Sequence, residues 1–428
     1  MVNATGRHDR SAAAAGPEHA RQAHPSQAGA TRAQATQEQT SPEQARGSSE
    51  QASPYSGAID PGAPLAWVVR GDLTESVHTG HLVALSAEGA PALQVGSPEQ
   101  VMYPRSSIKP VQALAALRTG VPLSSEQIAV GCASHSGEPE HLEVVRSILA
   151  RAGLSEADLA NTPDRPLSAR AARDAHAAGT APSALAQNCS GKHAVMLAAC
   201  VHNGWPTGSY LRPDHPLQQA IAQTVAELTG VPVAHTAVDG CGAPLLSTTT
   251  TGLARSFATL ATAATGTPEA AIASAMAAHP QLVGGTGRDV SEAMRQIPGL
   301  IAKDGAEGVY AAALPDGRAV ALKIADGASR PRPVALAAAL QVLGVRPEPL
   351  AASEPAELRP GDPTEPRPEE PTEPGSGEPA EQVSAHPAGH PWQWAQVPVL
   401  GHGRPAGQVI PAFGPQAPSS ALSPNIPG

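Results

Sequence analysis

Apolar and polar positions divide this chain into stretches of different character. Residues 1–62 are mostly Ala, Gln, Ser, Glu and Gly, with almost no large apolar side chains. Such a segment cannot bury enough surface to offset its ordering entropy, so a disordered N-terminal tail is expected. Residues 349–395 read alike, with Pro-Thr-Glu-Pro at 363–366 and again at 371–374. Proline and like charges keep such an insert extended. The run 63–348 between them has the apolar content of one globular domain. Residues 396–414 read as a terminal strand pair that completes it, and 415–428 as a tail.

Within the domain, the apolar, Val-rich runs Leu65–Arg70 and His81–Ser86 predict strands. Pro110–Arg118 has a helical pattern, with Gly120 suited to cap its end. Further helices are predicted at about 139–152, 192–203, 213–229, 250–264, 268–278, 288–295 and 333–343. Gly308–Leu314 and Ala319–Ala325 read as strands joined by the turn signal Pro315-Asp316-Gly317. Val397–Leu400 and Gln408–Ala412 read as a last short pair. Strands at both ends with helices between do not give strand–helix alternation. They predict an α+β fold: a mostly antiparallel sheet built from the chain's two ends and packed with helices.

Composition narrows this picture. A length of 428 residues would allow two domains, but aromatics are only 2%, with 45 Pro and 41 Gly. One packed domain with solvated flanks fits better. Net charge is −10 and no basic run occurs, so nucleic acid is not an expected partner. No apolar run has the length of a membrane span, and residues 1–60 lack the apolar core of a secretory signal. A cytoplasmic location is expected, and the four cysteines (Cys132, Cys189, Cys200, Cys241) read as thiols or metal ligands.

Lysine is the informative residue. Of 28 basic residues only Lys109, Lys192, Lys303 and Lys323 are Lys. Arg serves wherever a plain positive charge suffices, whereas a partly buried Lys can lose its proton and act as a base. Lys109 lies in Tyr103-Pro-Arg105-Ser106-Ser-Ile-Lys109-Pro at a predicted helix entrance. Ser106 and Lys109 would share a helical face, so the lysine could activate the serine. The spacing alone equally suits a helix cap and a solvated charge. Cys132-Ala-Ser134-His135-Ser136-Gly-Glu138 offers a second serine, Ser134 or Ser136, with His135 or Glu138 as proton carrier; it also reads as a capping loop. Asn188-Cys189-Ser-Gly-Lys192-His193 and Asp239-Gly-Cys241 each carry a thiol beside nitrogen or carboxylate donors, a set that could hold a soft divalent metal or simply two buried reduced cysteines. Lys303, in Ile301-Ala-Lys303-Asp-Gly-Ala-Glu-Gly308, is placed in a loop before a strand, as a partner for one of the serines, and Lys323 reads as a single outward charge.

Taken together, these stretches resemble the rhizobial-type (class 3) L-asparaginases of the asparaginase II family, over roughly Leu65 to Leu343. The resemblance implies a fold like serine β-lactamases and penicillin-binding proteins, a homodimer, and L-asparagine as the small-molecule substrate. It implies two serine–lysine pairs, Ser106 with Lys109 and Ser134 with Lys303. It places zinc on Cys189, Lys192 and Cys241, and substrate contacts on Arg105, His193 and Asp239. The rival reading, a β-lactam-reactive or peptidase-type Ser-x-x-Lys enzyme, calls for Lys-Thr-Gly on an edge strand, and no lysine here precedes Thr-Gly. A Ser-His-Asp hydrolase would want a Gly-x-Ser-x-Gly elbow, also missing. A non-catalytic protein of the same fold is the third alternative.

Overall fold

A computed structural model describes residues 60–346 and 392–416. They belong to one compact unit, Ala58–Gly428. The expected N-terminal and C-terminal tails and most of the Pro/Glu insert lie outside the described residues.

The chain begins with β1 (Ala63–Arg70), β2 (Leu73–Leu85), β3 (Pro91–Val95) and the two-residue β4 (Val101–Met102). A 3₁₀ turn, Arg105–Ile108, runs straight into α1 (Lys109–Leu117). Pro110 sits in the first turn of α1, where its missing N–H leaves nothing unsatisfied. There follow α2 (Ser125–Gly131), α3 (Pro139–Arg151), α4 (Ala169–Ala177), α5 (Ser190–His202) and α6 (Pro216–Thr229). Three short strands, β5 (Thr236–Val238), β6 (Pro244–Leu246) and β7 (Thr248–Thr249), lead into α7 (Thr250–Ala261). Next come α8 (Pro268–Ala278), α9 (Pro280–Val283) and α10 (Asp289–Gln296). The chain then re-enters the sheet through β8 (Ile301–Gly305), β9 (Val309–Ala313) and β10 (Ala319–Ile324) before α11 (Pro331–Val342). The last hairpin is β11 (Val397–Gly401) and β12 (Arg404–Pro411).

The main sheet has the order β11-β12-β1-β2-β10-β9-β8, with β3 also on β2, and every pairing is antiparallel. The fold is therefore α+β, with the sheet closed from both ends of the chain: β2, near the start, lies directly against β10. All residues of β8 and β9, and all but Lys323 in β10, are buried, so helices cover both faces there. Ala311, Ala312, Ala313, Ala319 and Ala321 supply the small side chains that let α7 and α11 approach closely. The second described stretch begins at Trp392, ahead of the residue 396 that the apolar pattern indicates. Trp392 and Trp394 are buried with rings stacked at 5.7 Å, and β12 registers on β1 from Ala66–Pro411 to Arg70–Gly407.

Three helices, α2, α4 and α9, escape the sequence pattern, and so do the short strands β3, β4, β5, β6 and β7. The more consequential difference is Lys303. It lies in the middle of β8, not in a loop, because Ile301 and Ala302 pair with Ala313 and Ala312 in register.

Candidate active site

The polar cluster forms where three helix entrances meet the β8 end of the sheet. The 3₁₀ turn that carries Arg105 and Ser106 lies against β8, and Gly305 makes that possible. A Cβ there would sit 2.9 Å from the Pro104 carbonyl oxygen and 3.1 Å from the Ser107 nitrogen. Gly191 does the same for α5. A Cβ on it would fall 2.3 Å from the Val130 carbonyl oxygen, so only glycine lets Cys189–Lys192 approach the Cys132–Ser134 segment. Both glycines stand inside the motifs that the sequence singles out.

Lys109 is 1% exposed. Its amine donates to the Ala133 carbonyl at 2.7 Å, to Ser134 Oγ at 3.0 Å and to the Asn188 carbonyl at 3.5 Å. The serine–lysine hydrogen bond thus joins Lys109 to Ser134, not to Ser106. Since Ser134 Oγ accepts here, its own hydrogen remains available to donate. Ser106 is half-buried, and its hydroxyl makes no hydrogen bond among the described residues. The expected pairing is crossed because the α1 entrance aims Lys109 at the end of α2, while the 3₁₀ turn points Ser106 elsewhere.

Lys303 is fully buried, and burial pushes its amine down from the ordinary 10.5 to about 8. Lys109 and Arg288 act in the same direction, while Asp304 opposes them. Its amine donates to the Asp304 carbonyl at 2.6 Å and to the Asp304 carboxylate; no hydrogen bond to Ser134 is made. The Asp304 carboxyl is held far below its ordinary range; burial works against this, and Lys303, Arg288 and Arg332 outweigh it. Cys132 lies beside both lysines, but burial raises its thiol to about 12, which leaves it inert.

The other members of that loop are structural. Ser136 donates to the Gly284 carbonyl at 3.0 Å. His135 accepts from the Gly137 N–H and meets Ser190 Oγ at 2.8 Å, so both ring nitrogens are occupied. Glu138 accepts the Thr286 N–H and caps α3. The proton-carrier alternatives of the sequence reading are therefore engaged elsewhere.

At the rim, Arg105 donates to Asp239 at 3.0 Å and faces Glu307 at 3.6 Å. Two of the expected substrate contacts, Arg105 and Asp239, are thus each other's counter-ion. Burial works against the Asp239 charge, but Lys192, the Gly240 N–H and Arg105 hold the carboxyl below its ordinary value. Arg105 adopts a left-handed backbone (φ 52), a conformation a non-glycine residue rarely takes and one frequent at ligand clamps. His193 is fully buried and, by burial above all, held neutral. The Tyr210 phenol accepts the Ala160 N–H and donates to His193 Nδ1 at 2.7 Å. The His193 hydrogen then sits on Nε2, a buried donor with no partner among the described residues.

Cys189, Lys192 and Cys241 converge behind Asp239. Lys192 Nζ donates to Cys241 Sγ at 3.2 Å, and Cys189 Sγ donates to Asn188 Oδ1 at 2.9 Å. The Cys241 thiol, with Lys109 and Lys192, lowers the Cys189 thiol well below its ordinary value, and burial works against this. Burial alone would push the Lys192 amine down, and the two sulfurs hold it up. Tetrahedral zinc ligands stand about 3.6 Å apart. The Lys192–Cys241 distance is of that order, and Asp239 Oδ2 lies 3.9 Å from Cys241 Sγ; two sulfurs and an amine are donor types that suit zinc.

A cleft of about 370 Å³ opens next to Arg105 and Glu307, lined by Tyr103, Leu245 and Thr250 among others. Lys323 lines it too, half-buried and donating to the Glu307 and Ile324 carbonyls, so it is not an outward charge. The serine–lysine groups lie behind Arg105 and do not line this cleft. Asp304 and Arg288 were not singled out from sequence. Asp304 stood in plain view in the Lys-Asp-Gly motif, whereas nothing local marks Arg288.

The profile of the L-asparaginase II family matches residues 66–361. The chain belongs to the L-asparaginase II family. Membership supports asparagine hydrolysis as the class of activity, that of an amidohydrolase on a small-molecule substrate; the rhizobial-type subclass is a finer matter. No curated protein matches the chain. Among solved structures it is similar to a β-lactamase from Mycobacterium bovis, at 17% identity over 62% of this chain and 95% of that one, TM-score 0.35. It is also similar to Mglu in its tris and glutamate form, at 15% identity over 65% of this chain and 61% of that one, TM-score 0.34. A third is EstCE1, a hydrolase with promiscuous acyltransferase activity, at 14% identity over 66% and 93%, TM-score 0.32. Likenesses this distant do not bear on the chemistry. Among the described residues no helix is long and apolar enough to cross a membrane.

Proposed function

We propose that the protein hydrolyses L-asparagine to L-aspartate and ammonia, with a serine as nucleophile and buried lysines handling its proton. The observation that carries this reading is the pair of buried lysines, Lys109 on Ser134 and Lys303 held near 8, behind an Arg105–Asp239 ion pair. Asparagine would enter that ion pair, its α-carboxylate replacing Asp239 at Arg105 and its α-ammonium replacing Arg105 at Asp239. Arg105 precedes Ser106 in the chain, so a substrate held there has its side-chain amide close to the uncommitted Ser106 hydroxyl. The buried His193 Nε2 donor is a third contact for a substrate oxygen.

Ser106 Oγ attacks the amide carbon and gives up its proton toward Lys303, whose amine is half deprotonated near pH 8. Ser134 has a hydrogen to pass on and a lone pair to receive one, so it can carry that proton. The carbon–nitrogen bond breaks as the amide nitrogen takes the proton and leaves as ammonia. Water then attacks the aspartyl ester, releasing aspartate and restoring Ser106. Zinc held by Cys189, Lys192 and Cys241 would supply a fixed charge behind Asp239, with both sulfurs offsetting it. The same reading includes a rhizobial-type enzyme, a homodimer, and the cytoplasm as its place of action.

The test is ammonia release from asparagine and from glutamine, with ring opening of a penicillin followed by absorbance, for the wild type, Ser106→Ala and Lys303→Ala. Release from asparagine that disappears in both variants, with circular dichroism unchanged, is expected. Full activity in both variants would remove the serine–lysine mechanism.

A further inference from the structure

Arg288 connects two segments that the sequence keeps far apart. One guanidinium nitrogen donates to the Ser134 carbonyl at 3.1 Å, and the other donates to an Asp304 carboxylate oxygen at 2.5 Å. The second Asp304 oxygen and the Asp304 carbonyl take the Lys303 amine. One planar fork thus bridges the loop that presents Ser134 and the counter-ion that holds Lys303. A lysine in its place could not span both acceptors with fixed geometry.

We propose that Arg288 is a positioning residue for the reaction proposed above, on which this inference rests. It locks the Ser134 loop to Asp304 and takes up part of the carboxylate that would otherwise turn wholly toward Lys303. The groups facing Lys303 are Asp304 on its own strand, Lys109 from α1, Cys132 at the end of α2 and Arg288 at the start of α10. Around Asp304 stand Arg332 of α11, which comes within 3.9 Å, together with Asp289 of α10 and Tyr310 of β9. Removing Arg288 deletes a positive neighbour of the amine and frees a negative one. Both changes favour the protonated amine, which is the form unable to accept a proton.

Arg288→Gln is therefore expected to move the acidic limb of the kcat–pH profile up by about one pH unit. Activity at pH 7 falls about tenfold and recovers as the pH approaches 10. KM for asparagine stays within about twofold, because Arg105 and Asp239 are untouched. Arg288→Lys keeps the charge and loses the fork, so its limb should stay in place while kcat is several-fold lower at every pH. A glutamine variant whose profile superimposes on the wild type, or falls equally at all pH values, overturns the role of Arg288. Should the glutamine variant not fold, wild-type kcat in Arg288→Lys overturns it. An inactive wild type would instead sink the asparaginase reading, and this inference with it; an active wild type with unmoved variants sinks this inference alone.

Discussion

Replacing Lys303 with Met separates what this residue does for catalysis from what it does to the fold. The lysine is fully buried, and its amine is pushed from 10.5 to about 8. Below pH 8 the folded protein carries a charge that its surroundings disfavour, and that drop amounts to about 3 kcal/mol of destabilisation. The folded value lies under the unfolded one, so the unfolded chain binds more protons between about pH 8 and 10.5. Stability from this group therefore rises with pH across that window and is lowest below it. Methionine has similar length and no charge, but it deprives Asp304 of a donor, which gives back about 1 kcal/mol. Arg288 and Arg332 remain as partners of that carboxylate. The net expectation is a variant more stable by about 2 kcal/mol at pH 7, an advantage that fades by pH 10.5, and no ammonia release at any pH. Urea denaturation at pH 7, 9 and 10.5 measures it. A variant less stable than the wild type by a pH-independent amount would refute the reasoning, since Lys303 would then be a comfortably paired ammonium.

Arg105 has a left-handed backbone, so Arg105→Gly should be about 1 kcal/mol more stable than Arg105→Ala by thermal denaturation. Both variants should raise KM for asparagine about thirtyfold, the loss of one charge-assisted contact; an unchanged KM would remove Arg105 from the substrate. Dialysed against zinc, the wild type should retain about one metal per chain and Cys241→Ser much less, measured by elemental analysis; equal contents would dissolve the proposed site. Ending the chain at residue 346 removes the hairpin that pairs with β1, together with the burial of Trp392, Trp394 and Phe413. The bared edge should make that variant aggregate; a soluble product with the parent's melting temperature would contradict the sheet order.

Much of this architecture is readable from periodicity because the elements that matter are regular. The Val-rich run at 65–70 and the Ala/Val runs around Pro315-Asp316-Gly317 are strands, and the antiparallel closure follows from their places at the chain's two ends. Lys303 was harder to place, since Lys-Asp-Gly reads as a turn; a strand buried on both faces shows no polar alternation to mark it. The motif residues do gather in one place, but who bonds whom depends on tertiary contact. Ser106 and Lys109 share a turn, yet the amine reaches across to Ser134, whose loop is brought near by the bare backbone of Gly191. Arg288 lay beyond reach for the same reason. Its significance is a bridge between residues 134 and 304, which no local pattern encodes.

The most direct measurement is mass spectrometry of the intact protein quenched during turnover of asparagine at pH 8. A covalent aspartyl adduct that maps to the peptide containing Ser106, and is lost in Ser106→Ala along with ammonia release, is the result this account predicts. Ammonia released at the wild-type rate by Ser106→Ala, or an adduct that maps elsewhere, would contradict it.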